Sequence, residues 1–295
     1  MAVIVALGVA VVLVGGVLFV LERHQPQHDP AAVQVDGQAV AESSRRHPAL
    51  RRFLERRRDP ATATGLLLTI GLAATAAAAL AVGALLEMVT LHTGIADWDN
   101  WVARWGARHA TPGSTAALKF VTLFGASYVL IPITALVALI EYRRLRSPAV
   151  PLFLASVLAS ELIVDNLVKV LVDRRRPDIA RLVHAAGSSF PSGHSATAAA
   201  MWAAYALLLG RRRSARTRAI LATAAGVMAV AVAASRVLLG VHWLTDVLAG
   251  LVLGWGCFAL CSVAFGGRLL QFGHTLETAE YDVEPNAVTS GTPSP

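Results

Sequence analysis

Three short stretches of this chain, set between long apolar runs, carry residues suited to handling an anion. They are Lys169 with Arg176-Pro177, then Pro191-Ser192-Gly193-His194, then Ser235-Arg236 followed by His242 and Asp246. Lys169 lies at the edge of an apolar block, where an unpaired cation is costly and therefore usually functional. Arg176 comes seven residues later, two turns along a continuing helix, so both cations are expected on one side, with Pro177 ending that helix. Pro191-Ser192-Gly193 reads as a turn into a helix start. Such a start offers a hydroxyl, free backbone N–H groups and the positive end of a helix dipole. With Arg236 added, the set contains three cations, a serine and backbone donors, which suits the oxygens of a phosphoryl group and its transition-state charge.

The histidines supply reactivity. His242 and Asp246 are four apart on a predicted helix, so the carboxylate is expected to hold the imidazole Nδ1–H and leave Nε2 free to attack phosphorus. His194, from another helix, is expected to protonate the leaving oxygen and then to take a proton from water. With Asp246 assigned to His242, no carboxylate pair remains for a two-metal site, so neither metal nor cofactor is expected. Cys257 and Cys261 lack a second cysteine pair or a nearby histidine and read as small buried hydrophobes. A lone His or Arg in a loop is usually only solvated. All three stretches fall on one membrane face in the topology below, and that argues for chemistry.

The elements that must position these residues are membrane helices. The 295-residue chain is 55% hydrophobic and 15% charged, with a mean hydropathy of +0.57. Its apolar residues fall in uninterrupted blocks long enough to cross a bilayer, so the expected class is all-α and polytopic. Residues 1–21 read as an N-terminal membrane anchor, 22–60 as a basic cytoplasmic linker, 61–265 as a six-helix phosphatase core and 266–295 as a disordered acidic tail. The six core blocks span about 64–91, 117–141, 149–171, 194–209, 218–239 and 243–265. Within the linker, 48–58 has apolar residues at helical spacing among arginines, as a helix on an anionic membrane surface or a solvated linker would. Trp98, Trp101 and Trp105 share one helical face, as in a short helix at the membrane interface. Glu161, Asp165 and Lys169 form a polar stripe expected to be an internal ion pair, and Gly250 with Gly254 is a small-xxx-small pair expected to allow close helix packing.

The net charge of +7 is carried largely by loop arginines. With no nucleic-acid motif beside them, it points to topology and anionic lipid instead of RNA or DNA. The arginines of 22–60, 143–146 and 211–218 share one side, which the positive-inside rule makes cytoplasmic. The three motifs then lie on the extracytoplasmic face of the plasma membrane. Arg174, Arg175, Arg176, Arg181 and Arg236 on that face weaken the contrast and suggest retention for chemistry.

At these positions the chain resembles the type 2 phosphatidic acid phosphatase family, which includes bacterial acid phosphatases and vanadium haloperoxidases. Its pattern is Lys, six residues, Arg-Pro; Pro-Ser-Gly-His; then Ser-Arg, five residues, His, three residues, Asp. The chain matches every fixed position from Lys169 to Asp246, and the resemblance spans roughly residues 64–265. It implies His242 as nucleophile, Asp246 as its partner and His194 as general acid. It also implies Lys169, Arg176, Ser192, Gly193 and Arg236 as the phosphate cradle. The expected function is an integral-membrane lipid phosphatase acting on polyprenyl pyrophosphate, phosphatidic acid or phosphatidylglycerol phosphate through a phosphohistidine. The alternative is a phosphotransferase passing the group to a lipid acceptor. Transport is disfavoured, because the polar residues gather at one face instead of lining a path across the membrane. The expected partners are the lipid substrate and the surrounding lipids; oligomeric state stays open.

Overall fold

The computed structural model describes residues 60–271 apart from 180 and 212, with side chains from 73 to 265. The expected anchor at 1–21, most of the basic linker and the tail from 272 lie outside the described residues. Eight α-helices run through the described part: α1 Pro60–Leu91, α2 Asp99–His109, α3 Pro112–Thr122, α4 Ser127–Leu145, α5 Ala149–Val172, α6 Gly193–Gly210, α7 Ala215–Leu238 and α8 Leu244–Gln271. No strand occurs among the described residues. The last helix passes the expected boundary at 265. Arg, Leu, Leu and Gln after Gly266-Gly267 are good helix formers, and no proline interrupts them.

Four of these helices (α1, α5, α7 and α8) are long and apolar enough to cross a membrane, or five spans if α3 and α4 count as one bent span. The block at 117–141 is therefore not one straight helix: α3 and α4 meet at 46° through a 3-10 turn at Leu123–Gly125. The chain leaves helix geometry at Ala126, which is extended at ψ 125°, and α6 passes close beside the break. A Cβ on Gly125 would lie 2.5 Å from the His194 carbonyl oxygen, and the carbonyl of Phe124 at the break accepts from Trp202 Nε1 at 2.9 Å. Helix α3 starts on a Thr111/Ser114 capping box with proline in its first turn.

Helix α6 is the hub, packed against α8, α7 and α5. Its Ser195 and Thr197 are buried against protein, where their hydroxyls find partners. One apolar core joins Leu130, Phe153, Leu154, Met201 and Ala204. A second, joining Val82, Val168, Phe190, Ala196 and Leu253, lies beside the polar residues of the motifs. Gly250 and Gly254 face α6 directly: a Cβ there would fall 2.5 Å from the Ser192 carbonyl oxygen and 2.0 Å from that of Ala196. The bundle's polar ends are segregated. The C-terminal end of α5, the start of α6, the end of α7 and the start of α8 meet at one end, while Arg211 pairs with Glu141 at the other.

Candidate active site

Lys169 sits in the last turn of α5 and is paired with Asp165 at 2.5 Å, the internal ion pair anticipated from the stripe. Its ammonium adjoins the start of α6, since a Cβ on Gly193 would lie 2.8 Å from Nζ. Glu161 is fully buried and accepts from Thr197 Oγ1 at 3.1 Å. Helix α5 stops at Val172, with Asp173 left-handed at φ 41° and its N–H closing on the Lys169 carbonyl at 3.1 Å. Arg176 is thus not two helical turns beyond Lys169, and Pro177 does not end the helix. The left-handed residue turns the chain first, and Arg176 reaches the site from an irregular loop.

That loop holds Arg176 firmly. Its guanidinium donates to the carbonyls of Ala186 at 2.9 Å, Gly187 at 3.1 Å, Ser188 at 3.1 Å and Val241 at 2.8 Å. Desolvation lowers its pKa, countered by the nearby charge of Asp246. Ser192 caps α6 with extended backbone and its N–H donates to the Asp246 carbonyl at 3.0 Å. Its hydroxyl accepts from Ser195 Oγ at 3.0 Å and keeps its own proton for another acceptor. Arg236, in the last turn of α7, is buried and donates to Thr122 Oγ1 at 3.0 Å, with its Nε unpartnered. His194 lies within electrostatic reach of Arg236, His242, Lys169 and Arg176. The structure therefore brings the predicted residues of all three motifs to one end of the bundle.

His242 precedes α8 instead of lying on it, after a turn at Gly240 with φ 71°. Its Nδ1 is 2.8 Å from the Ser189 carbonyl oxygen but 3.6 Å from Asp246 Oδ2, too long for a hydrogen bond. The expected direct bond from Nδ1–H to Asp246 is thus replaced by one to the Ser189 carbonyl. The reason is that Asp246 is already engaged. Oδ1 accepts from Arg174 Nη1 at 2.5 Å, while Oδ2 accepts from the Ser189 hydroxyl and, at 2.9 Å, from the N–H of Trp243. Asp246 caps its own helix start and acts on His242 through Ser189 and its charge.

A carbonyl can only accept, so Nδ1 carries the proton and Nε2 keeps its lone pair. Arg176 Nη1 lies 3.1 Å from Nε2. Burial, reinforced by Arg176 and Arg236 and opposed by Asp246, lowers the His242 pKa to about 4. The imidazole is neutral at physiological pH, as a nucleophile must be.

Asp99 and Ser189 at the site were not singled out from sequence, and Arg174 stood out only as one of five arginines on the outer face. Asp99 opens α2 and is buried. A short helix does form there, carrying Trp101 and Trp105, with Trp98 closing the 3-10 turn before it; the three tryptophans are exposed at 64%, 58% and 41%. A carboxylate beginning a Trp-rich helix next to apolar blocks was the available clue.

Residues 150–269 match the model of the PAP2 superfamily. The chain is 32% identical over 193 residues to phosphatidylglycerophosphatase B of Bacillus subtilis, covering 64% of this chain and 93% of that protein. It is 31% identical to an undecaprenyl-diphosphatase of Sulfolobus acidocaldarius over 54% of this chain and 75% of the relative. The crystal structure of a transmembrane PAP2-type phosphatidylglycerolphosphate phosphatase from B. subtilis superposes with a TM-score of 0.62 at 29% identity, covering 67% of this chain and 98% of that one.

Proposed function

The chain belongs to the PAP2 superfamily, and on that premise we propose that this multi-pass membrane phosphatase cleaves a lipid phosphomonoester or pyrophosphate through a phosphohistidine on His242. The observation that carries the reading is the tautomer. Nδ1–H is given to the Ser189 carbonyl, and the Nε2 lone pair is left beside the Arg176 guanidinium.

In the first step His242 Nε2 attacks phosphorus while Lys169, Arg176, Arg236, the Ser192 hydroxyl and the backbone N–H groups opening α6 hold the phosphoryl oxygens. The P–O bond to the lipid breaks, and His194 delivers a proton to the leaving oxygen. In the second step His194 takes a proton from water, whose oxygen attacks the phosphohistidine. The N–P bond breaks, inorganic phosphate leaves and His242 returns to its starting tautomer. No step calls on a metal: the oxygens of Asp246 and Asp99 are engaged by Arg174, Ser189, Thr245 and the Trp243 N–H.

The substrate class follows from setting and kinship. The cradle lies at the polar end of an apolar bundle, where a phosphate headgroup sits while its chains remain in the bilayer, and relatives bear the names phosphatidylglycerophosphatase and undecaprenyl-diphosphatase. Arg211 and Glu141 mark the opposite end of the bundle; with Arg143, Arg144 and Arg146 closing α4, this supports an extracytoplasmic site in the plasma membrane. A phosphate-release panel tests the reading with phosphatidylglycerol phosphate, phosphatidic acid, a polyprenyl pyrophosphate and a soluble phosphomonoester. At least one lipid should be turned over with kcat/KM well above the soluble ester, phosphatidylglycerol phosphate being the first expectation. Equal or greater efficiency on the soluble ester would remove the lipid assignment.

A further inference from the structure

We propose that Asp99 and Arg174 are positioning residues for this reaction, acting on His242 through Asp246 and Ser189; the proposal rests on His242 being the nucleophile. Arg174 lies in the loop after α5, with its guanidinium between two buried carboxylates. Its Nη2 donates to Asp99 Oδ2 at 2.8 Å and its Nη1 to Asp246 Oδ1 at 2.5 Å. Nη1 also reaches Thr245 Oγ1 at 2.8 Å. Asp99 is fully engaged in return: Oδ1 accepts from the Thr245 N–H at 2.9 Å, and Oδ2 accepts from the Thr245 hydroxyl at 2.7 Å.

The backbone of Arg174 grips the other support of the nucleophile. Its N–H donates to Ser188 Oγ at 3.1 Å, and its carbonyl accepts the Ser189 N–H at 2.8 Å. Ser189 in turn offers its carbonyl to His242 Nδ1–H and its hydroxyl to Asp246. One residue therefore sets both the carboxylate behind the imidazole and the carbonyl that fixes its tautomer. The ring of Trp243 stacks below the guanidinium, 5.5 Å from its carbon.

Asp99 decides where that guanidinium points. With both carboxylates charged, Arg174 is pulled from two sides and stretched between α2 and α8. With a neutral amide at Asp99, the pull is one-sided, and the half-buried cation can turn toward Asp246 and draw it off Ser189. The same link ties α2, whose Trp101 and Trp105 are exposed, directly to the support of the nucleophile. Neither Asp99 nor Arg174 is assigned to the phosphoryl cradle, so substrate binding should survive their loss.

The test uses the full chain in nanodiscs with Asp99→Asn, Arg174→Gln and the double variant. Misplacing the reacting group by about 1 Å costs about 10²-fold. Each single variant should lose about that much in kcat, while KM and competitive inhibition by inorganic phosphate stay within about threefold, the pattern of an interaction made in the transition state. The double variant should be no slower than the slower single, because Asp99 acts through Arg174. The proposal is overturned if the losses multiply, or if kcat per folded molecule is unchanged and only the melting temperature falls. If Asp99→Asn yields no folded protein, Thr245→Val keeps all three charges and removes only the bridging hydroxyl. It should slow kcat by about 5- to 30-fold, as expected for losing the two hydrogen bonds of that hydroxyl, from Arg174 and to Asp99, at about 1 kcal/mol each, and an unaltered kcat overturns the proposal. Rapid-quench trapping separates this from the reading it rests on. Absence of phosphohistidine in the unaltered chain sinks the nucleophile assignment, whereas formation at unaltered speed in Asp99→Asn sinks only the role of Asp99.

Discussion

Replacing Gly254 by alanine adds one methyl group where α8 crosses α6. That methyl would sit 2.0 Å from the Ala196 carbonyl oxygen, 2.8 Å from its carbon and 2.9 Å from Cα. All three are backbone atoms of the hub helix, so no side-chain rotation relieves the overlap. Restoring a C···O separation of about 3.3 Å requires the helices to part by about 1.3 Å. Overpacking of this kind costs about 1–3 kcal/mol, which at about 2–4 °C per kcal/mol lowers the melting temperature by several degrees. The larger effect is catalytic, because α8 follows His242 and α6 begins at Gly193 beside His194. A shift near 1 Å between nucleophile and cradle predicts a kcat loss of about 10²-fold. The control is Gly226→Ala on α7, where a Cβ meets nothing within 4 Å. That change should leave kcat unaltered and stabilise slightly, by about 0.4–1 kcal/mol. Thermal melts and phosphate release in one detergent read both. A Gly254→Ala protein that melts like the unaltered chain and retains kcat would refute the reasoning that backbone contact at this crossing sets the site.

The acid limb of kcat/KM should reflect the lowered His242 pKa of about 4. The nucleophilic neutral imidazole persists down to that pH, so activity falls tenfold per unit only below it, and a limb near 6.5 would mean an unperturbed histidine. The same depression makes stability fall as pH drops from about 6.5 to about 4, because there the unfolded chain binds the proton and the folded chain does not; below both values the effect levels off. Melts across that window should show the slope. Arg176→Lys keeps a cation but cannot reproduce the fork that spans the carbonyls of Ala186, Gly187, Ser188 and Val241, so kcat/KM should fall by about 10²-fold or more; near-normal kinetics would remove the fork from the account. Activity should survive excess chelator and be inhibited by vanadate, which mimics the pentacoordinate state. Loss on chelation with recovery on adding Mg²⁺ would contradict the metal-free mechanism.

The motif residues and the helices that bear them were legible because both signals are local. Apolar blocks mark spans, and Lys169, Ser192 and Arg236 stand where those blocks end. Spacing misled where the chain leaves helix geometry. Seven residues from Lys169 to Arg176 and four from His242 to Asp246 fit a helix, but Asp173 turns left-handed, and His242 lies ahead of α8. The break at Leu123–Gly125 was hidden for a related reason: the apolar run continues through it, while the backbone turns extended at Ala126 beside α6. The roles of Asp99, Arg174 and Ser189 were out of reach for a different cause. Their meaning comes from contacts across 75 and 57 residues of sequence, from Asp99 to Arg174 and from Ser189 to Asp246. No periodicity encodes such pairings.

The central claim is that phosphorus passes through His242. Rapid acid-free quenching of the enzyme with a phosphorylated lipid, followed by mass spectrometry of its peptides, tests it directly. The account predicts a phosphate on His242 that forms faster than turnover, and no phosphopeptide and no phosphate release from His242→Ala. Continued phosphate release by that variant, or a phosphate trapped on another residue, would contradict it.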